Sequence, residues 1–295
     1  MSTILIGVDP TARSEDAIAL GRRLARPGAG RVIVASVTPA DRPRRDEAHA
    51  TVRRMSGLLA GVAPERIRTA VVAGRTPAQA LYELAGTERA SVLVVGSTHR
   101  VRLGRTQPGG TGERLLLGAP CAVALAPHGY RSQAEQPISR VGVAFDGSTE
   151  SRAAFAAALS AAQAAGAVLE VITVMGTPFD GPGVVAAAPG LSFVLADANA
   201  ELRRQQQDAM TDLPGGVRAE PIELEGEPAA ALAEHSAGLD LLFVGSRGYG
   251  PLRAVVEGGT SGALLRLADC PVIVLPRGVE APLAEVFEPA VGAAR

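Results

Sequence analysis

Leu241-Leu242-Phe243-Val244-Gly245-Ser246-Arg247-Gly248 is followed, nine residues later, by Gly258-Gly259-Thr260-Ser261. A short apolar run with no polar alternation reads as a strand covered on both faces, as in a parallel sheet. The glycines and hydroxyls after it read as a loop leading into a helix. The same pattern stands 149 positions earlier. Val92-Leu93-Val94-Val95-Gly96-Ser97 precedes Gly109-Gly110-Thr111, Cys121 matches Cys270, and Pro127 matches Pro276. Near the front of each copy, Ile4-Leu5-Ile6-Gly7-Val8-Asp9 returns as Val141-Gly142-Val143-Ala144-Phe145-Asp146, here 137 positions on. The chain is therefore one unit written twice. The difference in offset, 149 − 137 = 12, places 12 extra residues inside the second copy. Gly176 to Ser192, rich in Gly, Pro and Ala, is the expected site of that insertion and reads as a surface loop.

Each copy alternates strands with helical stretches. In the first, Ile4–Val8, Val32–Val37, Ile67–Val72, Val92–Val95 and Ala122–Leu125 read as strands. Arg13–Leu24, Arg44–Leu59, Pro77–Ala85 and Gly110–Leu117 read as helices. Ser14 is the expected cap of the first helix, Ser148 or Thr149 of its counterpart, and Pro77 and Pro228 suit a first helical turn. The fold class predicted is α/β, with two doubly wound five-stranded parallel domains over 1–128 and 138–278. Pro127 to Pro137 reads as a linker, and the tail after Arg277 as poorly ordered.

Composition narrows the chemistry. The 295 residues include 29 basic side chains, and every one is arginine. Without lysine there is no Walker A loop, no kinase-type strand lysine and no pyridoxal Schiff base. The net charge of −1 gives no overall push toward nucleic acid or anionic membrane. No signal peptide or membrane-length apolar run is evident, and two cysteines are too few for a disulfide framework. These readings predict a cytoplasmic protein. The histidines have no ligand-like spacing, so no metal site is expected.

In a doubly wound sheet, ligands sit beyond the carboxyl ends of the strands where the winding reverses. Asp9 and Asp146 close the first strands there, and the glycine-rich segments follow the fourth. Glycines let backbone N–H groups approach a phosphate, and a helix N-terminus favours a negative group. Asp146 taken alone is equally well a helix-entry cap.

Gly245-x2-Gly248-x9-Gly258, followed by Cys270-Pro271-Val272-Ile273-Val274-Leu275-Pro276, resembles the universal stress protein family. So does the opening Val141 to Ser148. The resemblance spans nearly the whole chain as a tandem pair. It implies strand order 3-2-1-4-5 and an adenine nucleotide, ATP or AMP, as cofactor, with or without Mg²⁺. It also implies that Asp146 meets ribose or adenine and that the Val174 backbone meets adenine. Gly245, Gly248, Gly258, Gly259, Thr260 and Ser261 would cradle ribose and phosphates. Gly259 departs from the family by standing where a serine is usual. The counterparts in the first half are Asp9, Gly96, Gly109, Gly110 and Thr111. There His99 replaces the second glycine and Gly112 replaces the counterpart of Ser261, so the second half is expected to be the better site. The family resemblance also implies pairing of the two halves through their last strands, giving a pseudo-twofold; whether two chains then pair is open. The functions weighed are a nucleotide-binding stress regulator first and a tandem interaction module second. An ATP-cleaving enzyme comes last, because no nucleophile, base or acidic metal cluster stands out.

Overall fold

The computed structural model describes residues 2–25, 30–41, 44–97, 100–101, 105–106, 115, 119–176, 191–211, 213–214, 216–246, 264–265, 267–276 and 283–287. The strands are β1 (Thr3–Val8), β2 (Arg31–Pro39), β3 (Ile67–Gly74), β4 (Val92–Gly96), β5 (Arg100–Val101), β6 (Arg105–Thr106), β7 (Ala122–Ala126), β8 (Arg140–Ala144), β9 (Val168–Met175), β10 (Ala219–Glu225), β11 (Leu241–Gly245) and β12 (Val272–Leu275). The helices are α1 (Arg13–Ala25), α2 (Arg45–Ser56), α3 (Pro77–Thr87), α4 (Thr149–Ala165), α5 (Leu191–Ala209) and α6 (Pro228–His235). Both halves are thus α/β, as their sequence pattern predicts.

Ten strands form one sheet, in the order β10-β9-β8-β11-β12-β7-β4-β1-β2-β3. Within this sheet the pairing inside each half is parallel. Its β7 and β12, where the halves meet, run antiparallel, with Val272 opposite Leu125, Ile273 opposite Ala124 and Val274 opposite Val123, and β5 and β6 form a separate antiparallel pair. The offset of 149 makes Ile273 the counterpart of Ala124 (124 + 149 = 273). The pseudo-twofold axis therefore passes through that pair.

Central strands are buried on both faces, and their sequences are apolar throughout. The outermost strands, β3 and β10, have no fully buried residue, and β10 (Ala-Glu-Pro-Ile-Glu-Leu-Glu) shows the period of two expected of a half-covered strand. On one face a continuous core joins both halves beneath α1, α2 and α4, while the other face has two separate cores beneath α3 and α6. Helix α4 meets the sheet through Ala154, Ala157, Ala158, Ala161 and Ala162. Their i, i+3, i+4, i+7, i+8 spacing makes one stripe of small side chains.

The segment after β7 is docked against the fold. Asp16, 1% exposed on α1, accepts from Gly129 N (2.9 Å) and Arg131 N (3.0 Å). Arg23 donates to Tyr130 Oη (2.6 Å), to the Gln136 carbonyl (2.9 Å) and to Asp240 of the second half (3.2 Å). Asp240 also accepts from Ser139 N, Ser139 Oγ and Arg140 N. A second buried polar cluster lies at the amino end of the second half. Glu170 pairs there with Arg140 and stands 2.6 Å from His235 Nε2. A buried carboxylate of this kind is tolerated only because it is compensated.

Three expectations need correction. The tail was expected to be poorly ordered, yet Leu283, Val286 and Phe287 are buried in the shared core, and Phe287 meets Phe243 edge-on at 6.2 Å. Small alanines on α4 leave the room these side chains fill. The expected loop over Gly176–Ser192 gives way to α5 from Leu191; 177–190 lie outside the described residues. Ser14 is the second residue of α1 rather than its cap, because its hydroxyl turns back to Asp9. Ser148, Thr76 and Glu227 do act as caps, accepting from Ser151 N, Gln79 N and Ala230 N.

The Asp240 contacts predict a pH dependence. Burial raises its carboxyl pKa, but the Ser139 and Arg140 donors and the Arg23 charge outweigh that and hold it below the ordinary range. A carboxyl depressed by folding adds stability above its unfolded value, about 4, and loses it as pH falls through the lower folded value. Urea midpoints should fall more steeply below about pH 4 in the wild type than in Asp240→Asn. Parallel profiles would contradict the assignment.

Candidate functional site

In each half the first strand lies between the second and the fourth, so the winding reverses beside β1 and β8. Asp9 follows β1 directly, and Asp146 lies two residues beyond β8. Their neighbouring strands end in Gly96 and Gly245. Val174 is the penultimate residue of β9, paired with Leu224 and half-buried. Thus Asp146, Val174 and Gly245 all stand at carboxyl ends of three adjacent strands.

The two strand-end glycines have the same local reason. A Cβ on Gly245 would stand 2.6 Å from the backbone carbon of Glu150, in the first turn of α4. A Cβ on Gly96 would collide with the Arg13 carbonyl, in the first turn of α1. Arg13 and Glu150 are themselves counterparts (13 + 137 = 150). Glycine therefore lets the helix N-terminus close onto the neighbouring strand end. This brings an N-terminal dipole to the point where the winding reverses.

The two aspartates differ in company. Asp146 Oδ1 accepts from Ser148 N (3.1 Å) and Ser148 Oγ (2.5 Å). The intervening Gly147 has φ +74°, and a side chain there would run into Gln205 of α5. Its counterpart is Pro10, whose ring forbids that conformation. Asp9 has an arginine among its partners. Its Oδ1 accepts from Thr11 N (2.9 Å), Thr11 Oγ1 and Ser14 Oγ (2.9 Å). Arg13 places Nε (2.8 Å) and Nη2 on the other oxygen. Burial raises the Asp9 pKa, but the Arg13 and Thr11 hydrogen bonds and the Arg13 charge bring it below the ordinary value. In the second half the place of Arg13 belongs to an acid, Glu150.

Gly248, Gly258, Gly259, Thr260 and Ser261, and in the first half His99, Gly109, Gly110 and Thr111, lie outside the described residues. Sequence reasoning singled out both aspartates and both strand-end glycines but missed Arg13, Gly147, Glu150 and Gln205. The Arg13/Glu150 exchange was readable by applying the 137 offset one helical turn further. Gln205 had no local signal, since it reaches Gly147 only through the fold. Cys121 and Cys270 are buried, and burial pushes the Cys121 thiol up to about 12 and Cys270 upward as well. Both are therefore thiols at neutral pH, not nucleophiles. Among the described residues no group of three or more His, Cys, Asp or Glu is placed to hold a metal ion.

The sequence model of the universal stress protein family matches residues 1–127 and again 137–276. The chain belongs to the universal stress protein family. A universal stress protein of Mycobacterium tuberculosis is 29% identical over 204 residues, covering 68% of this chain and 65% of that protein. The matched region thus spans just under two thirds of that curated relative. One from Thermus aquaticus is 32% identical over 135 residues, 45% of this chain and 95% of the relative. Among solved structures, a universal stress protein from Archaeoglobus fulgidus superposes with a TM-score of 0.62 at 20% identity, covering 94% of this chain and 98% of its own. One from Pseudomonas aeruginosa gives 0.65 at 17% identity, covering 97% and 98%. These two share the fold across both halves.

The packing of the strand-end glycines is testable. Gly245→Ala and Gly96→Ala each push a Cβ into backbone and should lose about 2 kcal/mol in denaturant unfolding. Gly86→Ala, on α3 with open space around it, should be neutral or gain up to about 1 kcal/mol. Equal effects at all three positions would refute the close-approach reading.

Proposed function

We propose that the protein binds an adenine nucleotide, ATP or AMP, in the second half, and acts as a cytoplasmic regulator without a dedicated catalytic group. The observation that carries this reading is that Asp146, Val174 and Gly245 stand at the carboxyl ends of three adjacent strands, where the first turn of α4 closes onto Gly245. Asp146 would accept from ribose hydroxyls, and the Val174 backbone would meet the base. Gly245, Gly248, Gly258, Gly259, Thr260 and Ser261 would hold ribose and phosphates through N–H groups and hydroxyls. A chain without lysine has these groups and arginine to offer a phosphate.

The first half is read as vestigial. Both Asp9 oxygens are engaged by its own helix, and Arg13 already supplies the counter-charge. A ribose would have to displace either the guanidinium on Oδ2, a charge-assisted partner, or the Thr11 and Ser14 donors on Oδ1. This favours, for that half alone, the second reading as an interaction module.

Thermal unfolding with millimolar ATP, AMP or cyclic AMP, with and without Mg²⁺, tests the proposal. Binding to the folded state raises the melting temperature by mass action. The wild type and Asp9→Ala should show the same upward shift, and Asp146→Ala should show little or none. No shift in the wild type would favour the interaction module. Loss of the shift in Asp9→Ala alone would move the site to the first half.

A further inference from the structure

The net charge of −1 conceals a separation of charge. Residues 1–127 contain 18 arginines against 10 acidic residues, a net of +8. Residues 137–276 contain 8 arginines against 16 acidic residues, a net of −8. Because the halves are joined in one ten-stranded sheet, the described charges of opposite net sign fall on opposite sides of the β7–β12 junction.

The outermost elements share the sign of their half: α2 with β3 carries a net +2, and α5 with β10 a net −4. The basic end is closed by α2 and the outermost strand β3, the acidic end by α5 and the outermost strand β10. Arg45 and Arg53 on α2, and Arg75 just past β3, are exposed and have no ion-pair partner among the described residues. The same is true of Asp197 and Asp208 on α5 and of Glu225 at the end of β10. Asp46 is an exposed acid on α2 that offsets one of these arginines, while Arg68 pairs with Glu88 and Glu223 with Arg203. The last strands of the two halves are likewise consumed by pairing with each other. The remaining open edges of the sheet are β3 and β10, and they are opposite in sign.

We infer that the acidic end of one chain docks on the basic end of a second copy, a reversible head-to-tail association held by charge. A heterologous contact of this kind extends into short chains instead of closing as a symmetric dimer. A copy of the same protein is the partner whose charge complements both ends at once. Continuous strand pairing across the junction is not part of the proposal. Pro221 in β10 has no N–H to donate, the device that keeps edge strands from extending a sheet. The attraction is instead between exposed side chains, so it must weaken with salt. The screening length is about 10 Å at 0.1 M and about 3 Å at 1 M.

Sedimentation velocity on the full chain tests this, with circular dichroism confirming that each variant is folded. At about 20 mM salt the weight-average mass should rise with concentration to about twice the monomer or more, and at about 0.5 M it should return to the monomer. The triple variants Arg45→Glu/Arg53→Glu/Arg75→Glu and Asp197→Arg/Asp208→Arg/Glu225→Arg should each stay monomeric alone at low salt. Their equimolar mixture should associate again, because each then presents the charge the other lacks. The inference is overturned by a wild type that stays monomeric at low salt or by association that persists at 0.5 M. It is equally overturned if a charge-reversed variant still self-associates or if the mixture fails to restore assembly. Retention of a short DNA duplex by the wild type at physiological salt, lost in the arginine variant, would give the basic end to nucleic acid instead.

Discussion

The antiparallel pairing of β7 with β12 is the contact on which the rest of the architecture depends. Its register puts Ala124 opposite Ile273, the residue that is its own counterpart in the other copy. The pseudo-twofold is therefore built into three backbone pairs. Because the faces stay in phase across the junction, Ala124 and Ile273 point into the shared core, while Val123, Val272 and Val274 point to the reverse-face cores. One continuous core then serves α1, α2 and α4 together. The pairing also decides what is left over. With the fifth strands spent inside the chain, the free edges are β3 and β10, at opposite ends of the sheet.

Much of this was legible in the sequence because it rests on local signals. Short apolar runs marked β1, β4, β8 and β11, and Pro77 and Pro228 marked helix starts. The constant 149 offset located the duplicated back half. What was not legible depends on partners between 30 and 217 positions apart. Nothing near Gly129 announces that Asp16 holds it, and nothing near Asp240 announces Arg23. Glu170 in an apolar strand gave no hint of His235 and Arg140 closing over it. Terminal position did not announce that Leu283, Val286 and Phe287 pack into the shared core, a tertiary fact; the rest of the tail lies outside the described residues. The charge separation was present in the sequence but cancelled in the sum.

Duplication placed two equivalent crevices in one molecule, and single exchanges have made them unlike. Arg13 against Glu150 changes what surrounds the aspartate at the strand end, and Pro10 against Gly147 changes the path of the turn. Neither exchange disturbs the close approach of helix and strand, which Gly96 and Gly245 preserve in both halves. The scaffold can thus keep its packing while the residues around the two strand-end aspartates diverge. The same logic applies to the outer elements, where α2 with β3 and α5 with β10 keep their positions while their charges diverge.

The most direct measurement is a calorimetric titration of the full chain, purified without added nucleotide, with ATP and then AMP. The account predicts one site per chain, retained when Arg13 and Asp9 are both replaced by alanine. Two equal sites per chain would contradict the inequality of the halves, and no heat at millimolar nucleotide would contradict the assignment of a nucleotide to the Asp146 crevice.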